Sequence, residues 1–484
     1  MRTLILLLAA TATATAPTLA EAQLRSLSQN DVIEAQRQHP LLVAEFGGAE
    51  TGPRANYVEG VGRRVAIQSG VANSEAAYHF TTLNSAVENA FSVPGGYVYI
   101  TRQLMGIMND EAELGFVLGH EVGHIAANHA QARKAAATRN SILGVLGAIL
   151  GSAVGINGVG NLLSQAAQLR TLSFSREQEF QADTLGIRYV TAAGYDPGAG
   201  ATMLAALTRA AALDARTQGK STRSTPEWAS THPLSENRYQ RALTEAQRTG
   251  RIGVGIRNRD AFLTQLNGLY VDDDPAQGII DGLSFTHPDL RLQFVVPVGF
   301  RMQNSSRAVT IAGSGGQAQF SGGRFSGSLD DYIGRVLREI AGNAQLSVAP
   351  PQRTTINGLP AAYTTARANT RSGVVDVSVM AYQWNANTTY HFVMLTRGGT
   401  GIGPFAQMVD SLRRISPAEA AAIRPRIIDV VTVGPSDTLQ SLAGRMAYRD
   451  FKVERFLSLN GLAATAPLAR GQKVKLIVYG TRRG

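Results

Sequence analysis

His120-Glu121-Val122-Gly123-His124 lies in a stretch with little choice but to form a helix. Asp110 with Glu113 makes an acidic variant of the capping box, which marks a helix start. Leu114, Val117, Leu118, Val122 and Ile125 then recur at helical spacing and give that helix a core face. Residues four apart share a face, so both imidazoles can point at one spot, with Glu121 one residue round from His120. This is the donor pattern of a zinc site with a neighbouring carboxylate as general base. With 8 His and 36 acidic residues among 484, the pattern arises by chance in about one such chain in a hundred. The helix is otherwise apolar, so imidazoles without a partner would be costly there.

Two imidazoles leave zinc short of a third protein ligand. Cysteine is absent, which removes thiolate ligands, thiol proteases and disulfide scaffolds together. His129 is nine residues from His120, about 180° round an α-helix, and is expected to face away. A carboxylate is the alternative. Ser175 and Gln178 form a capping box opening a helix in which Glu179 and Asp183 lie four apart. Glu179 can ligate the metal while Asp183 bonds the far nitrogen of a ligand histidine and fixes its tautomer.

Hydrophobic residues make up 44% of the chain and charged ones 17%, which excludes a wholly disordered protein. The length implies two to four domains. A formal charge of +10 suits an anionic membrane surface or wall polymer. Without dense Lys/Arg runs, no nucleic-acid partner is expected. Arg2, the uncharged run Thr3–Leu19 and Ala20-Glu21-Ala22 read as a secretory signal peptide over residues 1–22. No cysteine follows for a lipid anchor, so a periplasmic protein is expected. Residues 23–250 read as mainly helical with a strand at Gly95–Thr101, and Gly250–Gly255 as a linker. Residues 260–415 read as an α+β domain of unknown role with a hairpin turn at Asn357-Gly358, and 429–479 as a small βααβ unit. The uncharged run Ile142–Leu163 carries Gly147, Gly151 and Gly155. A folded hairpin, or a lid in peripheral contact with a membrane, fits it better than a membrane span, because both flanks supply ligands to one metal.

Several of these segments resemble the HtpX/BepA-type zinc metalloproteases, whose relatives include the CAAX prenyl proteases. The resemblance rests on His120–His124, on Ser175-Arg-Glu-Gln-Glu179-Phe-Gln-Ala-Asp183 with Ala193-Gly-Tyr-Asp-Pro197 after it, and on Ser230-Thr-His232-Pro. Asn89-Ala-Phe-Ser-Val-Pro-Gly-Gly-Tyr-Val-Tyr-Ile-Thr101 is also similar. Together they cover about residues 25–250. The resemblance implies a mainly helical zincin-type domain with a small edge sheet. It implies one zinc ion held by His120, His124 and Glu179, with Glu121 as catalytic base and Asp183 behind a ligand. It makes Gly95–Thr101 an edge strand beside the cleft, with Asn89, Tyr97 and Tyr99 contacting substrate. For His232 it leaves two roles, oxyanion stabiliser or removable fourth ligand, and it brings Arg238 to the same region as a second catalytic residue.

The function implied is an exported metalloendopeptidase acting on misfolded or stalled envelope proteins. BepA-type members carry a tetratricopeptide array after the protease; no 34-residue helical repeat is found in this sequence. Instead Val431–Leu439, Phe456–Leu462 and Arg470–Val474 resemble a LysM domain, a module that binds N-acetylglucosamine glycans such as peptidoglycan. Ser436 stands there where Gly is usual before Asp437. Two other readings remain: a wall-associated chaperone or scaffold with a latent metal site, and an endopeptidase cutting peptidoglycan cross-links.

Overall fold

The computed structural model describes residues 25–131, 174–217, 232, 236–341, 347–370 and 373–482. The segments read as signal peptide and as apolar hairpin or lid, 1–22 and 142–163, lie outside the described residues. No described helix is long and apolar enough to cross a membrane.

Two helices, α1 (Gln29–Glu45) and α2 (Pro53–Ala66), lead into a small sheet of β1 (His79–Leu83), β2 (Ala90–Val93) and β3 (Tyr97–Thr101). Its order is β1-β3-β2, with β1 parallel and β2 antiparallel to β3. The stretch expected at the edge is therefore the central strand. The tight β2–β3 connection, with Gly95 and Gly96 at φ 97° and 93°, turns β3 inward, and β1 then takes its free side. A side chain at Gly96 would meet the Ala77 carbonyl oxygen at 1.9 Å, so only glycine fits this turn. All five β3 residues are buried. Tyr97 and Tyr99 thus belong to the interior and not to a substrate face. Tyr99 stacks on Phe91 and bonds His39 Nδ1 through its hydroxyl at 3.0 Å, while Tyr97 packs between His39 and His79.

Two helices follow, α3 (Arg102–Ile107) and α4 (Glu111–Ala126). Asp110 caps α4 by accepting from Glu113 N at 2.9 Å; the Glu113 carboxylate accepts from Asn109 N, one residue before the position a capping box uses. Next come α5 (Arg176–Ala192), opened by the Ser175/Gln178 capping box, α6 (Ala199–Thr217) and α7 (Glu236–Arg248). α4 and α5 approach closely through glycines. A Cβ at Gly186 would lie 3.1 Å from His120 N, and one at Gly123 would lie 3.1 Å from Leu185 Cβ. That approach brings the first turns of α5 against the histidines of α4.

Gly250–Gly255, expected to be a linker, is docked instead. Ile256 pairs with Tyr195 in a short parallel bridge, and Gly253 N donates to Asp196. Arg257 spans Asp196 at 3.0 Å and Asp110 at 2.7 Å, tying this stretch to the start of the metal-bearing helix. Helix α8 (Arg259–Leu266) and strand β4 (Tyr270–Val271) continue that packing. The middle unit therefore begins after β4, later than residue 260.

In the middle unit, β5 (Ile279–Asp281), β6 (Ser284–His287) and β7 (Leu292–Val295) form one sheet, completed by a two-residue strand at Arg413–Arg414. A second, eight-stranded antiparallel sheet spans residues 301–397, and helix α9 (Leu329–Ala341) packs on one of its faces. Asn357 and Gly358, at φ 49° and 76°, form the expected hairpin turn. Residues 426–479 run strand, helix, helix, strand in that order, with the two strands antiparallel and β4 added to the first of them. This unit is no detached module. Ile428, Leu442, Phe456 and Leu476 share one core with Leu104, Met108 and Phe262. Buried Lys475 donates through Nζ to the carbonyls of Gly106 and Met108, at the end of α3.

Candidate metal centre

α4 is apolar and nearly wholly buried, and His120, Glu121 and His124 are buried with it. The two imidazoles turn their Nε2 atoms toward each other, 3.0 Å apart. α5 brings the Glu179 carboxylate to 3.6 Å from His120 Nε2 and 3.5 Å from His124 Nε2. His232 completes the cluster, its Nδ1 3.3 Å from His120 Nε2 and 3.1 Å from Glu179 Oε1. One ligand atom from each of these four residues lies within 4.8 Å of the others.

The donor set fits zinc: four nitrogen and oxygen donors, buried and within one small sphere. A second observation agrees. Glu121 is fully buried; its Oε2 accepts from Ser92 Oγ at 2.9 Å, while Oε1 has no hydrogen-bond partner among the described residues. That oxygen lies 3.4 Å from His232 Nε2, within ion-pair distance.

Charge explains how so many titratable groups share this space. Burial, and then the neighbouring imidazoles, hold His124 well below the usual histidine range, so it stays neutral as a ligand must. For His232 burial works against the charged ring, but Glu179 and Glu121 outweigh it and raise its pKa. Glu179 is opposed by burial too, yet His232, His120 and Arg238 keep its carboxyl below the ordinary value.

Behind the cluster, Asp183 Oδ1 lies 3.0 Å from His120 Nδ1. Arg238 grips both Asp183 oxygens, at 2.8 and 2.7 Å, and reaches Glu179 Oε2 at 3.0 Å and the His232 carbonyl at 3.3 Å. Its expected part in oxyanion stabilisation gives way to this clamp, because the guanidinium is turned toward the carboxylates.

Three further placements matter. β2, not β3, is the edge strand at the site: Ser92 on it holds Glu121, and among the described residues β2 pairs only with β3. A narrow cleft beside it is lined by Ser28, Ser92, Gly95, His124 and Phe174. Asn89 is buried just before β2, its backbone paired with Thr101, and its Oδ1 has no partner among the described residues.

A family model described as Peptidase family M48 matches residues 53–246. Residues 53–246 are thus similar to the M48 peptidases. Over 197 residues it is 32% identical to the beta-barrel assembly-enhancing protease of Escherichia coli O157:H7, a match covering 39% of this chain and 38% of that protein. Over 220 residues it is 29% identical to the mitochondrial metalloendopeptidase OMA1 of Schizosaccharomyces pombe, covering 44% and 61% respectively. The chain thus spans less than half the length of the bacterial relative. The M48 match embraces every residue of the cluster and stops before the middle unit.

Within the matched residues, Ser92 and Phe174 lie at the site and are not marked by spacing alone. Phe174 stacks on His124 with ring centroids 3.9 Å apart. His129 was expected to face away. It does stay out of the ligand cluster, yet it turns back to touch His124, because α4 has already ended. The signal for that was present: Asn128, just past the helix end, takes the left-handed conformation at φ 59° that asparagine tolerates.

Proposed function

We propose that this protein is a zinc metalloendopeptidase of the bacterial periplasm, cleaving misfolded or stalled envelope proteins. The observation that carries the reading is the meeting of Glu179 with His120 and His124 beside Oε1 of Glu121, which makes no hydrogen bond among the described residues. In it His120, His124 and Glu179 hold zinc, which when bound supplies Lewis acidity toward water and the scissile carbonyl. Glu121 takes the proton of the attacking water on Oε1, since Ser92 occupies Oε2, and returns it to the leaving amine. Asp183 fixes the His120 tautomer, and Arg238 holds Asp183 and Glu179 in place. The outer edge of β2 offers backbone groups to an extended substrate, for which Asn89 is an adjacent polar contact. Hydrolysis of unfolded casein, stopped by a chelator and restored by zinc, tests the reading.

His232 stands where a fourth protein ligand would close the centre, and catalytic zinc sites keep one position open. We read it as a removable ligand that keeps the resting enzyme latent. His232→Ala is expected to raise casein hydrolysis at least about tenfold, or 1.4 kcal/mol of barrier. A fall in rate would instead place His232 in the reaction itself.

The export signal read at residues 1–22 supports the periplasmic assignment, as does the similarity to a beta-barrel assembly-enhancing protease. The strand-helix-helix-strand order of residues 426–479 is that expected of a LysM-like unit, and for such a unit we propose peptidoglycan as the ligand. Co-sedimentation of the protein with purified wall tests that part.

A further inference from the structure

His129 is bonded to a ligand without being one. Its Nδ1 lies 2.8 Å from His124 Nδ1, the rings inclined at 75°, and its Nε2 lies 3.1 Å from Oε1 of Gln181 on α5. Its backbone is held as well, since Gln178 Nε2 donates to the His129 carbonyl at 3.2 Å.

With the Gln181 amide oxygen facing His129 and both rings neutral, these contacts run in one direction. The Gln181 oxygen accepts, so His129 carries its proton on Nε2 and its Nδ1 is a bare acceptor. The proton between the two Nδ1 atoms must then belong to His124. A neutral His124 protonated on Nδ1 has a bare Nε2, and that is the atom turned toward His120 Nε2 and Glu179. Reversing the chain would put a proton on His124 Nε2 and remove its lone pair from the centre. His120 has the carboxylate of Asp183 3.0 Å from its Nδ1; His124 has a neutral imidazole backed by an amide.

We infer that His129, oriented by Gln181, is a positioning residue that locks His124 in the Nδ1-protonated tautomer with Nε2 free for the metal. This rests on the metal centre proposed above. The test uses the full chain, with zinc affinity read by competition against a chromogenic chelator. His129→Leu is expected to weaken zinc binding about 10- to 100-fold, the usual effect of losing a partner behind a ligand. His129→Asn, whose Oδ1 can stand near the lost Nδ1, is expected to regain most of that affinity despite its smaller volume. A space-filling role predicts the opposite order, with Leu the better replacement, and that order overturns the inference, as does wild-type affinity in His129→Leu. Nitrogen-15 spectra of the zinc-free protein give a readout independent of metal. They should show His124 protonated on Nδ1 in the wild type, and a proton on Nε2 there contradicts the proposal. Failure of the wild type to bind zinc, with the His124 tautomer as stated, would sink the metal reading and leave the tautomer lock standing.

Discussion

Glu121→Gln is expected to lower casein hydrolysis by about 10²- to 10⁴-fold, the range for losing a positioned general base. Zinc content should not change. Glutamine keeps the shape and an oxygen for the Ser92 hydroxyl, and Glu121 is no part of the four-residue ligand cluster. What disappears is the basic Oε1, buried and without a hydrogen-bond partner among the described residues. Paired rate and metal assays separate the outcomes: a variant that holds zinc and still cleaves at a wild-type rate would remove Glu121 from the chemistry.

Arg238→Met is expected to destabilise the metal-free protein by about 3–5 kcal/mol, the cost of leaving buried charge without its partner. Arg238 is 1% exposed and bonds two buried carboxylates, Asp183 and Glu179. Burial opposes charge on all three groups; the guanidinium leads in holding Asp183 below its ordinary pKa, His232 and His120 lead with Arg238 behind them at Glu179, and both carboxylates raise the pKa of Arg238. Zinc should restore part of the loss, because Glu179 then has a second cation to face. Urea unfolding with and without zinc measures both effects. An unchanged midpoint in the metal-free protein would show that the clamp carries no stability.

Much of this centre was legible because helices translate spacing into direction. Four-residue intervals put His120 with His124 and Glu179 with Asp183, and both helix starts were marked by capping residues. What spacing does not encode is how elements meet. Sheet order depends on which side of a hairpin a preceding strand takes, so Tyr97 and Tyr99 were assigned to substrate when β3 is enclosed by two neighbours. The glycines of α4, and Gly186 on α5, set the distance between the two metal-bearing helices. Their meaning emerges only when both helices are seen together. The docking of residues 250–257 depends on Arg257 meeting two acids far away in sequence, Asp110 and Asp196. The strand-helix-helix-strand order of residues 426–479 follows from local pattern, whereas its core shared with the metal-bearing helical unit does not.

The most direct test is the metal content, by mass spectrometry after dialysis against a weak chelator, of the purified full chain, of His232→Ala and of Glu179→Ala/His232→Ala, since His232 can replace the lost carboxylate among the four clustered donors. One zinc ion per chain is expected in the wild type and in His232→Ala, and background zinc in the double variant, which keeps two imidazoles. Full occupancy in the double variant would contradict the metal centre.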